Sequence, residues 1–380
     1  MKRVFAVIVC TIVFSSCTVV QIVYQIPKIK TIIKIEKHQV EVCKNNCQHF
    51  EIKDDHLVLP IKYNNTNDTA IFDTGLTDAF TITGNETLEK DSTLSFPTTT
   101  PSGRKQVRFQ ITKINLENDL LKWENHLAEK VFMDSIPCMT NTTKKILGIN
   151  AFYDSAIIVL DFDGNKVCIF DTIASMDVND YFEVKSFFKR VPYVFVKLWE
   201  REYRFIFDLG CAFPMIMNTA DYVAKQNDIT FEGATATDVS GIIYGETHLR
   251  IGDTLILADT VKTEVNEIWF SDNFTSNLIG LPFISEFNWI IDCKNKKIYA
   301  QRRTDFTPKK VLKEYLYKTM VKDNNLVIAS RNKTANPPLK LNTVIKSVNG
   351  ELITADNLCF YMELLNKTVD WGELSVEVRQ

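Results

Sequence analysis

The run Ile-Phe-Asp-Thr-Gly at residues 71–75 returns as Ile-Phe-Asp-Leu-Gly at 206–210, and this duplication limits the possible folds more than any other feature of the chain. Each copy is an apolar, strand-forming stretch that delivers one aspartate into a glycine turn. The surroundings repeat as well. Leu57 to Tyr63 precedes the first copy and Tyr193 to Leu198 the second, and both read as strands. Downstream lie Ile146-Leu147-Gly148 and Leu278-Ile279-Gly280, separated from their aspartates by 75 (148 − 73) and 72 (280 − 208) residues. Each unit then closes with an apolar strand ending in Asp (Ile157 to Asp161, Trp289 to Asp292), a polar turn and a last strand (Lys166 to Phe170, Lys297 to Gln301). Four landmarks in the same order and at similar spacing mark a duplicated unit.

The rest of the chain is read around that pair. With 380 residues and 45% apolar content there is material for two or three ordinary cores. A formal charge of −3 and the lack of an arginine-rich patch argue against nucleic acid as the main partner. Frequent turn signals between short β-branched or aromatic runs predict mostly β structure. The two halves read as 51–172 and 184–303, joined by a polar stretch around Ser175–Asp180. Seven Asn-x-Ser/Thr sequons occur, as expected by chance in an Asn- and Thr-rich chain.

Residues 1–16 read as a signal peptide. Lys2 and Arg3 form a charged start, and an apolar run extends from Val4 to Phe14 before Ser15-Ser16-Cys17. That ending resembles the lipobox of bacterial lipoproteins, although Phe14 stands where Leu is usual. The resemblance implies lipidation at Cys17, a membrane-anchored protein and a body outside the cytoplasm, periplasmic or at the cell surface. The other reading is an uncleaved anchor running through Val23, a poor span because Ser15, Ser16 and Gln21 lie inside it. Residues 17–50 then form a Lys-rich leader or linker, whose Thr31–Val42 stretch partly alternates as a strand does. Of nine cysteines, Cys43 and Cys47 are spaced to pair in an oxidising compartment. A zinc site from Cys43, Cys47 and His49 lacks a fourth ligand. Cys138, Cys168, Cys211, Cys293 and Cys359 sit mostly in apolar runs and read as packing residues.

The two Asp-x-Gly turns, each with its apolar-apolar-Gly partner, resemble those of the aspartic proteases, specifically bacterial retropepsin-like proteins carrying two copies in one chain. The resemblance covers about 51–303. It implies a pepsin/retropepsin-like, double-lobed acid protease fold with pseudo-two-fold symmetry, in which one polypeptide completes the site as a monomer. It implies that Asp73 and Asp208 are the catalytic pair, supported by Thr74, Gly75, Leu209 and Gly210. The substrate is then a peptide or protein, and no metal or cofactor is called for. Two touching carboxylates share one proton because both cannot ionise cheaply. The charged member accepts a proton from the attacking water, while the protonated member hydrogen-bonds the peptide carbonyl. Thr74 matches the family, whose threonine hydroxyls cross-brace the turns, whereas Leu209 has no hydroxyl to donate. Leu76 and Cys211 replace the usual Ser or Thr after each turn. Flap-like hairpins are expected at Ser240 to Gly245 and at Pro101 to Arg104. Asp161 and Asp292 read as structural.

Residues 306–380 differ in pattern. Thr343 to Val348 is a strand running into an Asn349-Gly350 turn, Thr354 to Asn366 carries Leu358, Tyr361, Met362 and Leu365 at helical spacing, and Glu373 to Arg379 alternates. This order resembles a PDZ domain, which implies a small α+β unit able to bind a peptide at a sheet edge. Its glycine-rich carboxylate loop is not recognisable, and the other role for the unit is to steady the flap. A serine hydrolase would need a Gly-x-Ser-x-Gly elbow, which the chain lacks. The five histidines, His38, His49, His56, His126 and His248, show no metal-binding spacing. The alternative function is an inactive, membrane-tethered peptide-binding protein using the same cleft and the PDZ-like unit.

Overall fold

Alternation builds the strands. In His56–Tyr63, Leu57, Leu59 and Ile61 are buried while their neighbours face outward, and Pro192–Leu198 repeats the pattern with Val194, Val196 and Leu198. A computed structural model describes residues 40–380 except 54, 77–79, 85–93, 101–102, 133–137, 139–143, 153–155, 174–177, 239–240, 259–260, 305, 307–315, 336–337, 369–370 and 380. Cys17 and the signal segment lie outside the described residues, as do Pro101, Ser102 and Ser240. No helix among the described residues is long and apolar enough to cross a membrane.

The fold is mainly β, with two closed barrels of six strands. The first runs in the order Leu121–Phe132, Phe80–Gly84, Lys144–Gly148, Thr66–Asp73, His56–Tyr63 and Gly103–Glu117, which returns to pair with Leu121–Phe132. The second runs Pro192–Leu198, Arg201–Asp208, Asn277–Gly280, Met215–Met217, Val261–Ser271 and Gly241–Ala258, closed by Lys197 opposite Ile256. In each barrel a tight hairpin with two left-handed residues leads into the aspartate-bearing strand. At the first, Asn64 and Asn65 have φ of 45° and 66° and suit such a turn. At the second, Trp199 and Glu200 (φ 49° and 68°) do not. Tertiary contacts hold that turn: the Trp199 ring stacks on Phe270 and its Nε1 donates to Asp253 at 2.8 Å.

The two closing hairpins form one sheet between the barrels. Ile157–Asp161 pairs antiparallel with Phe287–Asp292, placing Ile157 opposite Asp292 and Leu160 opposite Trp289. Phe182–Val184 and Asn46–His49 complete the edges of this six-stranded sheet. One hydrophobic cluster runs from Phe50 through Phe72, Leu160, Phe207 and Trp289 to Ala300, so the two halves share a core.

Residues 40–50, expected as leader, are built into these sheets. Val40–Val42 pairs with Leu121–Trp123, and Asn46–His49 pairs with Lys166–Ile169. That register sets Cys47 opposite Cys168, and the two form a disulfide with Cα atoms 4.0 Å apart. A second disulfide joins Cys138 to Cys359. Cys138, Cys168 and Cys359 are therefore cross-links rather than packing residues, and Cys43 keeps its thiol while Cys47 pairs elsewhere. Cys47, being in a disulfide, also drops out of the zinc reading.

The C-terminal region has its own core of Tyr317, Val321, Leu326, Ile328, Ile345, Val348, Leu358, Tyr361, Leu365 and Trp371. Its helix, Leu358–Lys367, buries Leu358, Tyr361 and Leu365 as the spacing predicted. The helix begins later than expected because the Asn357 side chain accepts from the Thr354 amide, turning the chain first. Asn349 and Gly350 form the expected turn (φ 51° and 80°), and Val376–Val378 is the last strand. The hairpin Tyr317–Lys322/Asn325–Asn332 does not stay apart. Asn325–Asn332 pairs with Ile229–Asp238, adding the C-terminal region to the second barrel's sheet.

Candidate functional site

Each aspartate is the last residue of a strand whose preceding phenylalanine, Phe72 or Phe207, is fully buried. The landmark glycines lie beside them. Lys144–Gly148 runs parallel to Thr66–Asp73 with Gly148 opposite Asp73, and Asn277–Gly280 runs parallel to Arg201–Asp208 with Gly280 opposite Asp208. Gly280 is there for space. A Cβ at that position would come within 2.1 Å of the Phe213 carbonyl and 2.5 Å of the Cys211 carbonyl, because the turn after Asp208 folds back over it. The turn is fastened there by Gly280 N donating to Pro214 O at 3.0 Å and Leu281 N donating to Cys211 O at 2.9 Å.

The two turns meet. A Cβ on Gly75 would lie 2.5 Å from Asp208 Cγ, and one on Gly210 would lie 2.5 Å from Asp73 Oδ2. Each turn glycine thus leaves room for the carboxylate of the opposite half, and the two carboxyls hydrogen-bond each other. Asp73 Oδ1 accepts from Gly75 N at 2.7 Å and Leu76 N at 3.0 Å; Asp208 Oδ1 accepts from Gly210 N at 2.9 Å. All the predicted site residues from 73 to 75 and from 208 to 210 therefore converge.

Beneath the pair, Thr74 is fully buried. Its Oγ1 donates to Phe207 O at 2.6 Å and accepts from Leu209 N at 3.0 Å, so one hydroxyl makes both links from the first turn to the second. Leu209, also fully buried, contributes its side chain to the shared apolar core instead. The brace is one-sided, but it is made.

Burial raises the pKa of both carboxyls, since a charged form is poorly solvated there. For Asp73 the rise is opposed by hydrogen bonds from Asp208 and from the Gly75 and Leu76 amides, and by the electrostatic influence of His56. Asp208 is pushed further, well above the usual carboxylate range, because the Asp73 charge adds to its burial. The pair therefore titrates as one unit that shares a proton, since both carboxyls cannot be charged in contact, and the stronger upward push is on Asp208. Cys211, next to the second turn, has its thiol pushed up by burial and by Asp208, and donates to Phe213 O at 3.6 Å. It is a neutral thiol at neutral pH.

The other two candidate aspartates close turns. Asp161 accepts from Gly164 N and Asp292 from Asn295 N, both at 2.8 Å, and these close the two polar turns. Gly241 to Gly245 lies on a hairpin strand paired with Ile229–Asp238, and Gly103 and Arg104 pair with Thr100 and Thr99. Sequence reasoning missed His56, which opens the strand next to that of Asp73; its counterpart by register in the second half is the apolar Val191, so no repeat flagged it. A scan against protein-family models and a search of curated proteins returned no match to this chain.

Proposed function

We propose that this protein is an aspartic endopeptidase, in which Asp73 and Asp208 activate water against a peptide bond. The observation that carries the reading is the meeting of two carboxyls, Asp208 buried and Asp73 partly so, each delivered by a duplicated strand-turn and each pushed up in pKa. Charged Asp73 takes the proton of the attacking water. Protonated Asp208 hydrogen-bonds the carbonyl oxygen as negative charge gathers there. The proton gained at Asp73 then passes to the leaving amine, which resets the pair. The retained Thr74 brace favours this reading over an inactive peptide-binding groove, because it fixes the distance between the turns.

In the same reading the two barrels are the lobes of a retropepsin-like fold related by pseudo-two-fold symmetry. The parallel pairings of Gly148 with Asp73 and Gly280 with Asp208 support that relation. The C-terminal unit, with its hairpin, Asn-Gly turn, helix and final strand, is PDZ-like. The protein is a lipoprotein held at the cell envelope through Cys17, with its substrates on the same side of the membrane. The test is cleavage of an unfolded protein by wild type, Asp73→Asn and Asp208→Asn from acidic to neutral pH. Each substitution should abolish activity, and full activity in either rejects the pair.

A further inference from the structure

The C-terminal unit is attached to both halves of the molecule by different means. Toward the second half the attachment is a sheet. Phe231, Glu232 and Gly233, on the outer strand of the hairpin Ile229–Asp238/Gly241–Ala258, pair with Asn332, Arg331 and Ser330, and Lys333 N donates to Thr230 O at 2.8 Å. Ion pairs flank this seam, Arg331 with Glu232 at 2.5 Å and Lys333 with Glu246, and Tyr244 Oη donates to Met320 Sδ at 3.5 Å. The fit is close: a Cβ on Gly233 would come within 2.2 Å of Ala329 O. Toward the first half the attachment is covalent. Cys138, in the connection between Leu121–Phe132 and Lys144–Gly148, is bonded to Cys359 in the first turn of the helix Leu358–Lys367. Cys138 also packs against the C-terminal core.

We infer that the C-terminal unit is a strap across the two halves, which limits how far the paired strands Ile229–Asp238 and Gly241–Ala258 move from the first barrel and is released by reduction of Cys138–Cys359. The inference rests on reading those strands as a flap over the Asp73–Asp208 site. A strand held in a sheet by its neighbour on one side, and tied through that neighbour to a fixed body, opens only if the tie opens too. Cys359 is exposed, so a dithiol reductant has access to it. Its thiolate attacks Cys359 Sγ, forming a mixed disulfide and expelling the Cys138 thiolate. The second thiol of the reductant, as thiolate, then displaces Cys359, so that two electrons pass to the cysteines and the reductant leaves as a cyclic disulfide.

Hydrogen exchange followed by mass spectrometry tests the strap on the full chain without substrate. In C138A/C359A, amides of 229–238 and 325–332 should exchange about tenfold faster than in wild type, because their opening no longer works against the tie. A dithiol should bring wild type to the same rate and leave the variant unchanged, which separates this bond from Cys47–Cys168. Unchanged exchange in 229–238, with the helix 358–367 still protected, overturns the strap. If that helix loses protection in the double variant, R331A/K333A decides, since it loosens the opposite end with the disulfide intact. It too should speed exchange of 229–238, and no change there overturns the inference. Retained cleavage in Asp73→Asn would reject the proposed activity while leaving the exchange result to stand by itself.

Discussion

Thr74→Val removes one oxygen atom and nearly no volume, and the structure sets a large expected cost. The hydroxyl serves Phe207 O at 2.6 Å and Leu209 N at 3.0 Å, and Thr74 is fully buried. No water replaces it at such a site, so both backbone groups lose their partner. Leaving a buried donor or acceptor unsatisfied costs about 1–3 kcal/mol, and the two together about 2–6 kcal/mol. Thr74→Ser keeps the oxygen and loses one methyl group, about 1 kcal/mol. The assay is denaturant unfolding of wild type and both variants, read as the shift in midpoint at constant slope. The serine variant should lie close to wild type and the valine variant well below it. Cleavage should fall in the same order, because the lost links are those that hold the two aspartate turns together. If valine and serine variants unfold within about 1 kcal/mol of each other, the hydroxyl is not bridging the halves and the one-sided brace is wrong.

Two further outcomes follow from the geometry. Gly210→Ala places a methyl carbon only 2.5 Å from Asp73 Oδ2. The carboxyls must separate, so cleavage should drop by about 100-fold or more while circular dichroism stays that of the wild type. Glu286, buried with only 5% exposure, has its carboxyl pushed up to about 7, by burial first and then by Glu264, against the pull of Arg302. Its folded pKa exceeds its unfolded one, so the folded state binds the extra proton and stability should decline as pH rises from about 4.5 to about 7. Glu286→Gln should remove roughly 3 kcal/mol of that decline, seen as a flatter plot of unfolding midpoint against pH.

The duplicated aspartate turns were legible because they are local: apolar alternation makes the strand, and glycine admits the opposing carboxylate. The Asn349-Gly350 turn and the buried stripe of Leu358, Tyr361 and Leu365 were legible for the same reason. What escaped was long-range register. Nothing near Cys168 indicates that Asn46–His49 will lie beside it, so the Cys47–Cys168 bond left no local trace. Ile157–Asp161 and Phe287–Asp292 were each visible as strands, yet their pairing joins elements that never neighbour one another in the chain. Trp199-Glu200 hid its turn differently. Neither residue favours a left-handed backbone, and only the packing of Trp199 on Phe270 and its bond to Asp253 make that turn stable. Leu209 stood out in the sequence as a missing donor. Its backbone amide, which completes the brace, is something every residue but proline carries and no sequence pattern can flag.

The sheet shared by the two halves also bears on how the protein is made. Its central strands come from opposite ends of the assembly, and Asn288, which accepts the Phe162 amide at 2.8 Å, is synthesised 126 residues after it. As the chain emerges, Ile157–Asp161 has the hairpin partner Lys166–Phe170 on one side and an apolar open edge on the other until Phe287–Asp292 arrives. Such an edge invites pairing with the wrong chain. The first half is therefore an unfinished body during synthesis, and a truncated gene ending near residue 172 should yield an aggregating product rather than a small stable domain.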